Sequence, residues 1–453
     1  MPTPAIAALL RDAALRASRY LESVADRPVA PSSAAVEGLD ALDVPVPDGP
    51  ADATAVLAEL DEIVGPATMA MAGPRFFGFV IGGALPATVA ANVLATAWDQ
   101  TSSRSDVTPG TARVEAVALR WILEALALPA RTAGGFVTGA TLANFTALAA
   151  ARHSLLAREG WDVEARGLFG APELEVVIGE EAHVSVLKSL ALLGLGKARV
   201  TVVPADGQGR MRADAFPAVG PRTIVCLQAG NVNTGSFDPA ELLVPRARAR
   251  GAWVHVDGAF GLWARAAPGR AALARGLEDA DSWATDLHKW LNAPYDSGVA
   301  LVRDETALRA AMSVSAAYLP EGRLRDPADY TPELSRRARG VEAWAALRAL
   351  GRSGLAELVE RSCRQARRFA EGLAAAGHRV LNDVVLNQLV VSFGDADRTR
   401  RVIGAIQRDG TCWCGGTTWQ GHVAMRISVS SWSTTEADVE RSLDAMLRAA
   451  REE

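Results

Sequence analysis

The stretch AWVHVDGAFG, residues 252–261, is the part of the sequence that decides the fold. A run of apolar and β-branched residues ends there in the carboxylate of Asp257, and small residues follow immediately. Short apolar runs of this kind are typical of buried strands. Burying a carboxylate is costly unless a cation or hydrogen-bond donors compensate its charge. Asp257 is therefore either a residue that caps a turn or helix, or the acid of a functional pair.

A lysine that can complete such a pair follows in DSWATDLHKW, residues 281–290. Of the 47 basic residues only three are lysines, so arginine serves almost everywhere that a generic positive charge is needed. Arginine cannot replace a lysine amine as a nucleophile. Lys188 and Lys197 fit exposed surface positions, whereas Lys289 lies between a histidine and a tryptophan in an apolar setting. Lys289 is therefore the lysine that we expect to carry chemistry.

An anion site precedes both residues in FVTGATLAN, residues 136–144. Small and hydroxyl-bearing residues run directly into a helical pattern there, and the free N–H groups at a helix N-terminus bind phosphate. Pyridoxal 5'-phosphate (PLP) requires a lysine for its aldehyde and an acid for its pyridine nitrogen. Lys289, Asp257 and this turn together indicate a PLP enzyme.

A histidine, His183, follows a predicted strand in EEAHVS, residues 180–185. Two interpretations are open for it. The ring is either that of a surface-loop residue or one that lies flat on the pyridine face of the cofactor. The second interpretation fits the general placement of ligands beyond the carboxyl ends of strands in open α/β sheets.

The ordered segments 138–141, 182–183, 255–259 and 288–290 resemble the group II PLP-dependent amino-acid decarboxylases. These include the aromatic-amino-acid, histidine and glutamate decarboxylases. The resemblance implies the PLP-dependent transferase fold-type I, which is aspartate-aminotransferase-like. It also implies a small-molecule amino-acid substrate and a homodimer with shared active sites. The implied reaction is the α-decarboxylation of an L-amino acid to the amine.

The same resemblance assigns roles to the cofactor-binding residues. Lys289 resembles the Schiff-base lysine, Asp257 the partner of the pyridine nitrogen, and His183 the ring-stacking histidine. Ala259 matches the residue that lies under the ring. The positions that bind phosphate in the family, together with one that has a cofactor-contacting threonine, correspond here to Gly139, Ala140, Thr141, His288 and Asn231. Asn231 departs from the family's threonine, as Gly258 does from its alanine and Leu287 from its proline.

Four further residues are candidates for the substrate site, three of them by resemblance to the family. Phe76 and Phe79 belong to an aromatic stretch near the substrate, and Thr108 to a segment that resembles the family's Ser-Pro pair. Arg426, in AMRIS, is either a bidentate clamp for a substrate carboxylate or part of a structural ion pair under the C-terminal sheet. A clamp that holds the carboxylate in the ring plane favours aminotransferase or aldolase chemistry.

The reaction also requires an acid that returns a proton to Cα, and two candidates are identified. His183 is one. The other is Tyr330, which resembles the mobile-loop tyrosine of the family, and Tyr318 is its rival in the same stretch. Residues 318–331 contain prolines, a glycine and charged residues without a helical period, so they predict a mobile lid.

Three classes of function remain after these assignments. The first is an amino-acid decarboxylase. The second is another PLP reaction on the same scaffold, namely transamination, aldol-type cleavage or aldehyde formation. The third is a catalytically silent PLP-binding regulator, which the intact pair of Lys289 and Asp257 disfavours.

Strand-like runs alternate with helical patterns through the middle of the chain. This alternation predicts an α/β fold with a mainly parallel sheet flanked by helices, and later patterns predict an α+β C-terminal domain. Three units are expected: an N-terminal helical and extended segment (1–85), a large PLP-binding domain (86–330) and a small C-terminal domain (331–453). The predicted strands are 174–179, 199–203, 223–228, 252–257, 299–302, 384–393 and 424–430. The predicted helices are 141–158, 184–193, 239–250, 341–350, 355–376 and 436–451, and residues 28–50 are expected to be extended.

Charge, the N-terminal sequence and the cysteines limit the possible partners and the cellular location of the protein. A net charge of −5 without a basic stripe argues against a nucleic-acid partner. Residues 1–27 predict an amphipathic helix, with neither a signal peptide nor a membrane span, so a cytoplasmic location is expected. Cys412 and Cys414 form a C-x-C, but no second ligand pair accompanies them, so reduced thiols and no metal site are expected.

Overall fold

The computed structural model describes residues 3–314 and 325–453, and the strands in that part of the chain form two sheets. The larger sheet has seven strands: β1 (Ala133–Val137), β2 (Glu175–Gly179), β3 (Val200–Val203), β4 (Thr223–Gln228), β5 (Trp253–Asp257), β6 (Ser282–Asp286) and β7 (Gly298–Val302). Their order is β1-β7-β6-β5-β4-β2-β3. Only β7 runs antiparallel to its neighbours, β1 and β6. The prediction of a mainly parallel sheet is therefore confirmed.

The helices flank this sheet and continue into the C-terminal part. They are α1 (Thr3–Ser23), α2 (Ser33–Glu37), α3 (Ala53–Ala67), α4 (Pro86–Trp98), α5 (Pro109–Ala125), α6 (Ala140–Arg158), α7 (Val163–Arg166), α8 (Val184–Leu192), α9 (Ala240–Arg248), α10 (Glu305–Met312), α11 (Gly340–Ala375), α12 (Ala396–Asp409) and α13 (Glu436–Glu452). None of the described helices is both long and apolar enough to cross a membrane.

The second sheet is antiparallel and consists of β8 (Arg379–Val380), β9 (Gln388–Ser392), β10 (Gly415–Trp419) and β11 (His422–Ser428), in the order β10-β11-β9-β8. Helices α11, α12 and α13 pack against it, and their apolar residues form a second core with those of β9 and β11. The two helices predicted at 341–350 and 355–376 are continuous except for a kink at Gly351, whose φ of 61° lies in the left-handed region.

Several sequence-based expectations differ from the structure. Residues 28–50 are not simply extended, because they contain α2, capped by the Ser32 hydroxyl, and a short 3-10 helix, Gly38–Leu42. Strands β1, β6, β8 and β10 were not predicted. Strand β1 was missed since its sequence AGGFV contains two glycines, which are unusual inside strands. The sheet requires at least one of them, because a Cβ on Gly134 would lie 2.7 Å from the carbonyl oxygen of Ala300.

The parallel strands place their carboxyl ends at one edge of the large sheet. His183, Gly258 and Lys289 follow the ends of β2, β5 and β6 respectively, and the turn after β1 leads directly into α6. Segments that are far apart in sequence therefore meet at this edge, where open α/β sheets bind ligands.

Candidate active site

A pocket at the carboxyl edge of the large sheet brings together six of the fourteen predicted site residues. It lies between the sheet and the β11 region of the C-terminal part. Its lining consists of Phe79, Val80, His183, Gln228, Gly230, Val232, Asp257, Ala259, Phe260, Lys289 and Arg426.

Lys289 projects its amine into this pocket from the segment after β6. Its Nζ lies 2.8 Å from Oδ2 of Asp286 and 6.0 Å from the ring centre of Phe260. The other two lysines, Lys188 and Lys197, are exposed on the surface, as their sequence context indicates. Lys289 is thus the one lysine of the chain whose amine reaches the pocket.

Asp257 ends β5 and is only 5% exposed. Burial raises the pKa of its carboxyl group, while the Lys289 ammonium, the His183 ring in its protonated form and the nearby Asn144 amide oppose that rise. A buried carboxylate whose negative charge is only partly balanced by its neighbours is stabilised by a further cation. A protonated pyridine nitrogen is such a cation, so the environment of Asp257 fits the role of cofactor partner.

His183 is the N-cap of α8 and its ring borders the pocket. Its Nδ1 lies 2.8 Å from Oγ of Ser185 and accepts a hydrogen bond from the Ser185 N–H at 3.3 Å. Desolvation lowers the pKa of the His183 ring, so the ring is mainly neutral at pH 7. A neutral, flat ring on this side of the pocket suits stacking on a pyridine face.

The predicted phosphate turn has little room for side chains. A Cβ on Gly139 would lie 3.0 Å from Cε1 of His288 and 3.1 Å from Oδ1 of Asp286. The next two residues, Ala140 and Thr141, begin α6, and Thr141 is exposed. Free N–H groups in the first turn of a helix bind anions. This narrow cradle therefore fits a phosphate group.

His288 contributes a donor to the same cradle. Its Nδ1 accepts a hydrogen bond from the Ser297 N–H at 3.1 Å, so the ring proton of the neutral form lies on Nε2. Tyr295 stacks on the ring with centres 4.2 Å apart. Burial lowers the pKa of His288, and its Nε2 remains available as a hydrogen-bond donor.

Asp286 is a residue of the site that the sequence analysis missed. Its Oδ1 accepts a hydrogen bond from the Ala140 N–H at 2.5 Å and lies 3.5 Å from Nε2 of His288. With Lys289 on Oδ2, one carboxylate contacts both the phosphate cradle and the reactive amine. The available signal was its position three residues before Lys289.

The pocket as a whole fits PLP. Lys289, Asp257, His183 and Ala259 all line it, and the first turn of α6 after Gly139 offers N–H donors, although the Ala140 N–H is bonded to Asp286. Gly258, which departs from the family's alanine, is explained by packing: a Cβ there would lie 2.7 Å from Cβ of Leu262. No group of three or more potential metal ligands occurs among the described residues.

Arg426, on β11, reaches the pocket from the opposite side. Its Nη1 donates to the carbonyl oxygen of Val232 at 3.0 Å. Desolvation lowers the pKa of the guanidinium, and no carboxylate pairs with it in the part of the chain that the structure describes. The interpretation of Arg426 as part of a structural ion pair is therefore wrong for the described residues. A half-buried cation without an acidic partner is suited to an anionic substrate group.

The structure does not bring Asn231 and Thr108 to the pocket. The Asn231 side chain accepts from the N–H groups of Asn233 and Thr234 and donates to Glu181, so it stabilises its own turn. Thr108 is buried, and its hydroxyl is within hydrogen-bonding distance of carbonyl oxygens in the preceding turn. Both predictions relied on position in a motif, whereas the local turn geometry uses these side chains elsewhere.

The two predicted aromatic residues also have different positions. Phe79 is 60% exposed and lines the pocket, whereas Phe76 is 2% exposed and stacks against Trp413, with ring centres 5.0 Å apart. Trp413 also stacks on Phe79 at 5.7 Å. Phe76 therefore supports the pocket wall from behind rather than contacting a ligand there.

Tyr330 does not lie on a lid, and this corrects the expectation from its motif. It ends a 3-10 helix, Pro327–Tyr330, is 3% exposed, and donates a hydrogen bond to Oε1 of Glu305 at 2.6 Å. Arg325 stacks over its ring. Its packing against the large domain's core withdraws it from the pocket. Its rival, Tyr318, lies outside the described residues.

Comparison with known proteins agrees with this geometry. Residues 37–393 match the family described as the pyridoxal-dependent decarboxylase conserved domain. The L-2,4-diaminobutyrate decarboxylase of Rhizobium meliloti is 30% identical, and the alignment covers 98% of this chain and 92% of that protein. Tryptophan decarboxylase 1 of Oryza sativa subsp. japonica is 26% identical, with 96% and 91% covered.

Solved structures share the fold at low sequence identity. The crystal structure of Oryza sativa TDC with PLP and tryptamine has a TM-score of 0.91 and 22% identity, and covers 100% of this chain and 99% of that one. The Rhodiola rosea 4-hydroxyphenylacetaldehyde synthase has a TM-score of 0.87 and 20% identity, with the same coverage of both chains. The expected fold-type I architecture is thereby confirmed. The chain belongs to the family of PLP-dependent amino-acid decarboxylases, and its cofactor is PLP.

Proposed function

We propose that this enzyme removes the α-carboxyl group of an L-amino acid as carbon dioxide and releases the amine. The observation that carries the proposal is the convergence of Lys289, Asp257 and His183 on one pocket of a decarboxylase-family chain. When bound, PLP supplies an electron sink for the bond that breaks at Cα of the substrate. The residues around the pocket determine which bond breaks and where the proton returns.

Each residue of the trio has a separate proposed role. Lys289 would hold the cofactor through its aldehyde carbon, because its amine is the lysine amine that reaches the pocket. Asp257 holds a proton on the pyridine nitrogen, because a buried carboxylate is stabilised by that positive charge. His183 covers one ring face and fixes the ring orientation. Phe79 and Phe260 give the pocket apolar walls that limit water near the reacting carbon.

We propose His183 as the acid that returns the proton to Cα. Its Nδ1 accepts from Ser185, so the Nε2 side is available toward the pocket. The role expected of Tyr330 is not compatible with its buried position, where its hydroxyl donates to Glu305. If the protonated ring is the acid, turnover falls as pH rises through the lowered pKa of His183.

Arg426 is proposed to bind a carboxylate of the substrate. It is the guanidinium that lines the pocket, and no acidic side chain among the described residues neutralises it. The same geometry supports the second candidate function, transamination, since a clamp on the α-carboxylate can hold that group in the ring plane. Aldehyde formation is the other alternative, supported by the structural likeness to a 4-hydroxyphenylacetaldehyde synthase.

We also propose a homodimer with shared active sites. Helices α1, α3 and α4 carry large apolar side chains that the single chain leaves exposed: Leu10, Leu15, Leu60, Val93, Leu94 and Trp98. Apolar patches of this kind mark protein interfaces. A second copy of the chain is the proposed partner, and its association is measurable by sedimentation.

A cytoplasmic location is proposed as well. The four cysteines, Cys226, Cys363, Cys412 and Cys414, are all buried free thiols in the structure. Unpaired cysteines are usual in reducing compartments. Fractionation of cells that express the tagged chain tests this location.

The test of function is a panel of L-amino acids in which carbon dioxide, amine and aldehyde are measured together. The panel should include basic, acidic and aromatic side chains, because relatives named for each type match the chain. Equal amounts of carbon dioxide and amine from at least one amino acid would support the proposal. Aldehyde in place of amine would favour the aldehyde-forming alternative. Amino transfer to a 2-oxo acid without carbon dioxide would favour an aminotransferase.

A further inference from the structure

A line of hydrogen-bonded, buried side chains runs behind the pocket to Asn144, which lies beside Asp257. We call Trp253, Ser282, His255 and Asn144, together with the neighbouring Asp257, the relay. Trp253, His255 and Asp257 lie on β5. Ser282 is the first residue of β6, and Asn144 lies on α6. Trp253 and Asp257 are at most 5% exposed, and the other three members are fully buried.

The hydrogen bonds of the relay have a fixed direction. Nε1 of Trp253 is only a donor, and it donates to Oγ of Ser282 at 2.9 Å. The single hydroxyl proton of Ser282 then donates to Nδ1 of His255, also at 2.9 Å. The proton of the neutral imidazole must therefore lie on Nε2, which donates to Oδ1 of Asn144 at 2.8 Å. The direction at Ser282 follows because its hydroxyl is buried and, among the described residues, has Nδ1 of His255 as its acceptor.

The relay thereby orients the amide of Asn144. Its oxygen is occupied by His255, so its NH₂ group faces the remaining polar neighbours. One neighbour is Asp257, which lies two residues after His255 and thus on the same face of β5. Nδ2 of Asn144 donates to Oγ of Ser185, and the proximity of the same amide lowers the pKa of the Asp257 carboxyl group against the opposing effect of burial.

A branch of the same network reaches the second functional residue. Nδ2 of Asn144 donates weakly to Oγ of Ser185 at 3.4 Å, and that hydroxyl lies 2.8 Å from Nδ1 of His183. The N–H of Ser185 also donates to Nδ1. Two donors on Nδ1 leave the proton of the neutral His183 ring on Nε2. One amide therefore influences both the partner of the pyridine nitrogen and the ring that stacks on the cofactor.

Burial keeps the relay neutral over the working pH range. Complete burial lowers the pKa of His255 to about 3, so the ring does not gain the second proton that would reverse its bond to Ser282. The other titratable groups that face Asp257 are His183, Lys289, Asp286 and the thiol of Cys226. Asn144 differs from all of these because its amide does not titrate, so its donor is present at every pH.

We propose that Asn144 and His255 are positioning residues of the active site, which orient an amide donor beside Asp257 and so favour the pairing of Asp257 with the pyridine nitrogen. This inference rests on the proposed role of Asp257. His255 acts only through Asn144, and neither residue lines the pocket. If the proposal holds, the capacity of bound PLP to accept electrons depends on Asn144 of α6 as well as on Asp257 of β5.

The direct test uses PLP labelled with ¹⁵N at the pyridine nitrogen, bound to the purified enzyme. The nitrogen chemical shift reports its protonation without reference to any reaction. In wild type we expect a protonated nitrogen at neutral pH. In Asn144→Leu the shift should move toward the unprotonated value, and kcat should fall roughly 10- to 100-fold with little change in KM, as loss of a hydrogen bond to a charged group implies.

Matched variants separate positioning from structural damage. Thr146→Val removes a buried hydroxyl of the same helix that bonds only to the carbonyl oxygen of Leu142, so it should leave the nitrogen shift unchanged. His255→Leu should shift the nitrogen signal in the same direction as Asn144→Leu. His255→Gln, which keeps an N–H donor near Nε2, should restore it in part.

Different results would contradict the positioning role of Asn144 and His255 and the proposed role of Asp257. An unchanged nitrogen shift and pH profile in folded Asn144→Leu and His255→Leu proteins would overturn the inference. If one variant does not fold, the other decides the matter with the same readout. If Asp257→Asn itself leaves the nitrogen protonated, the proposed role of Asp257 fails and not merely that of the relay.

Discussion

Nζ of Lys289 lies 2.8 Å from Oδ2 of Asp286, whose other oxygen accepts a hydrogen bond from the Ala140 N–H at 2.5 Å. The same carboxylate thus holds the amine that binds the aldehyde and a backbone donor of the phosphate cradle. A bound phosphate would lie close to this negative charge, and Lys289 would no longer compensate it after reaction with the aldehyde. The negative charge of Asp286 should therefore weaken the binding of the PLP phosphate, although the same carboxylate positions Lys289 and the Ala140 N–H.

The first prediction follows from that opposition. Asp286→Asn should bind PLP more tightly, by a few-fold to about tenfold, because the substitution removes one like charge from the phosphate cradle. Equilibrium titration of cofactor-free protein at low and high salt measures the effect, which should shrink as salt increases. Asp279→Asn, at an exposed position before β6, is the control and should leave affinity unchanged. Weaker binding by Asp286→Asn would contradict the account.

Asp257 should show opposite effects on activity and stability. Asp257→Asn should lower kcat by at least about 100-fold, because the amide cannot hold a proton on the pyridine nitrogen by charge. Activity within about tenfold of wild type, a barrier change of only ~1.4 kcal/mol, would refute that role.

The stability of the cofactor-free protein provides an independent check on Asp257. Burial raises its pKa above the ordinary value of 3.8, so the folded state prefers the protonated acid. The contribution of this group to stability is therefore present below pH 3.8 and is lost as pH rises through the raised pKa. Cofactor-free Asp257→Asn should have a higher Tm than wild type at neutral pH, and the difference should narrow in acid. A lower Tm at neutral pH would show that the carboxylate stabilises the empty site.

Tyr330 should behave as a structural residue. Tyr330→Phe removes a hydrogen bond to the exposed Glu305 and should cost about 1 kcal/mol of folding free energy. Its products should be those of wild type, in the same ratio of carbon dioxide to amine. Urea unfolding and product analysis of the same preparation test both statements. If the Tyr330→Phe variant released carbon dioxide but formed aldehyde in place of amine, Tyr330 would be the residue that delivers the proton to Cα.

Arg426 should act on substrate binding more than on the cofactor. Arg426→Gln should raise KM for a responsive amino acid by roughly tenfold or more, since a charge-assisted bond to a carboxylate is lost. Arg426→Lys should not restore it fully, because an ammonium group cannot form the bidentate pair. The absorption spectrum of bound PLP without substrate serves as the control and should match that of wild type. An unchanged KM would exclude contact between Arg426 and the substrate.

Much of the fold was predictable because its strands carry plain signals. The β5 run ends in Asp257, and uninterrupted apolar residues marked β4 in the same way. Strand β1 was missed because its glycines serve close packing against β7, a contact between segments that no local pattern reveals. Residues 28–50 were assigned as extended from their prolines, although a serine hydroxyl caps a short helix among them.

Part of the candidate site could be predicted from the residue types that its chemistry requires. The scarcity of lysine singled out Lys289, and a strand-terminal acid singled out Asp257. Asp286 and Asn144 were missed because their importance depends on what α6 meets across the sheet. Tyr330 was misassigned because a motif gives a position along the chain and not the face on which the side chain packs. The roles of the pocket residues remain predictions that the variants above test.

The most direct measurement is turnover of a responsive L-amino acid in D₂O, with carbon dioxide and the isotopic content of the amine measured together. The account predicts one carbon dioxide for each amine and a single deuteron at the carbon that lost the carboxyl group, since the proton returns to Cα from an exchangeable acid. Loss of carbon dioxide without amine would point to aldehyde formation. Deuterium in recovered amino acid, or amino transfer to a 2-oxo acid, with no carbon dioxide from any amino acid would contradict the account.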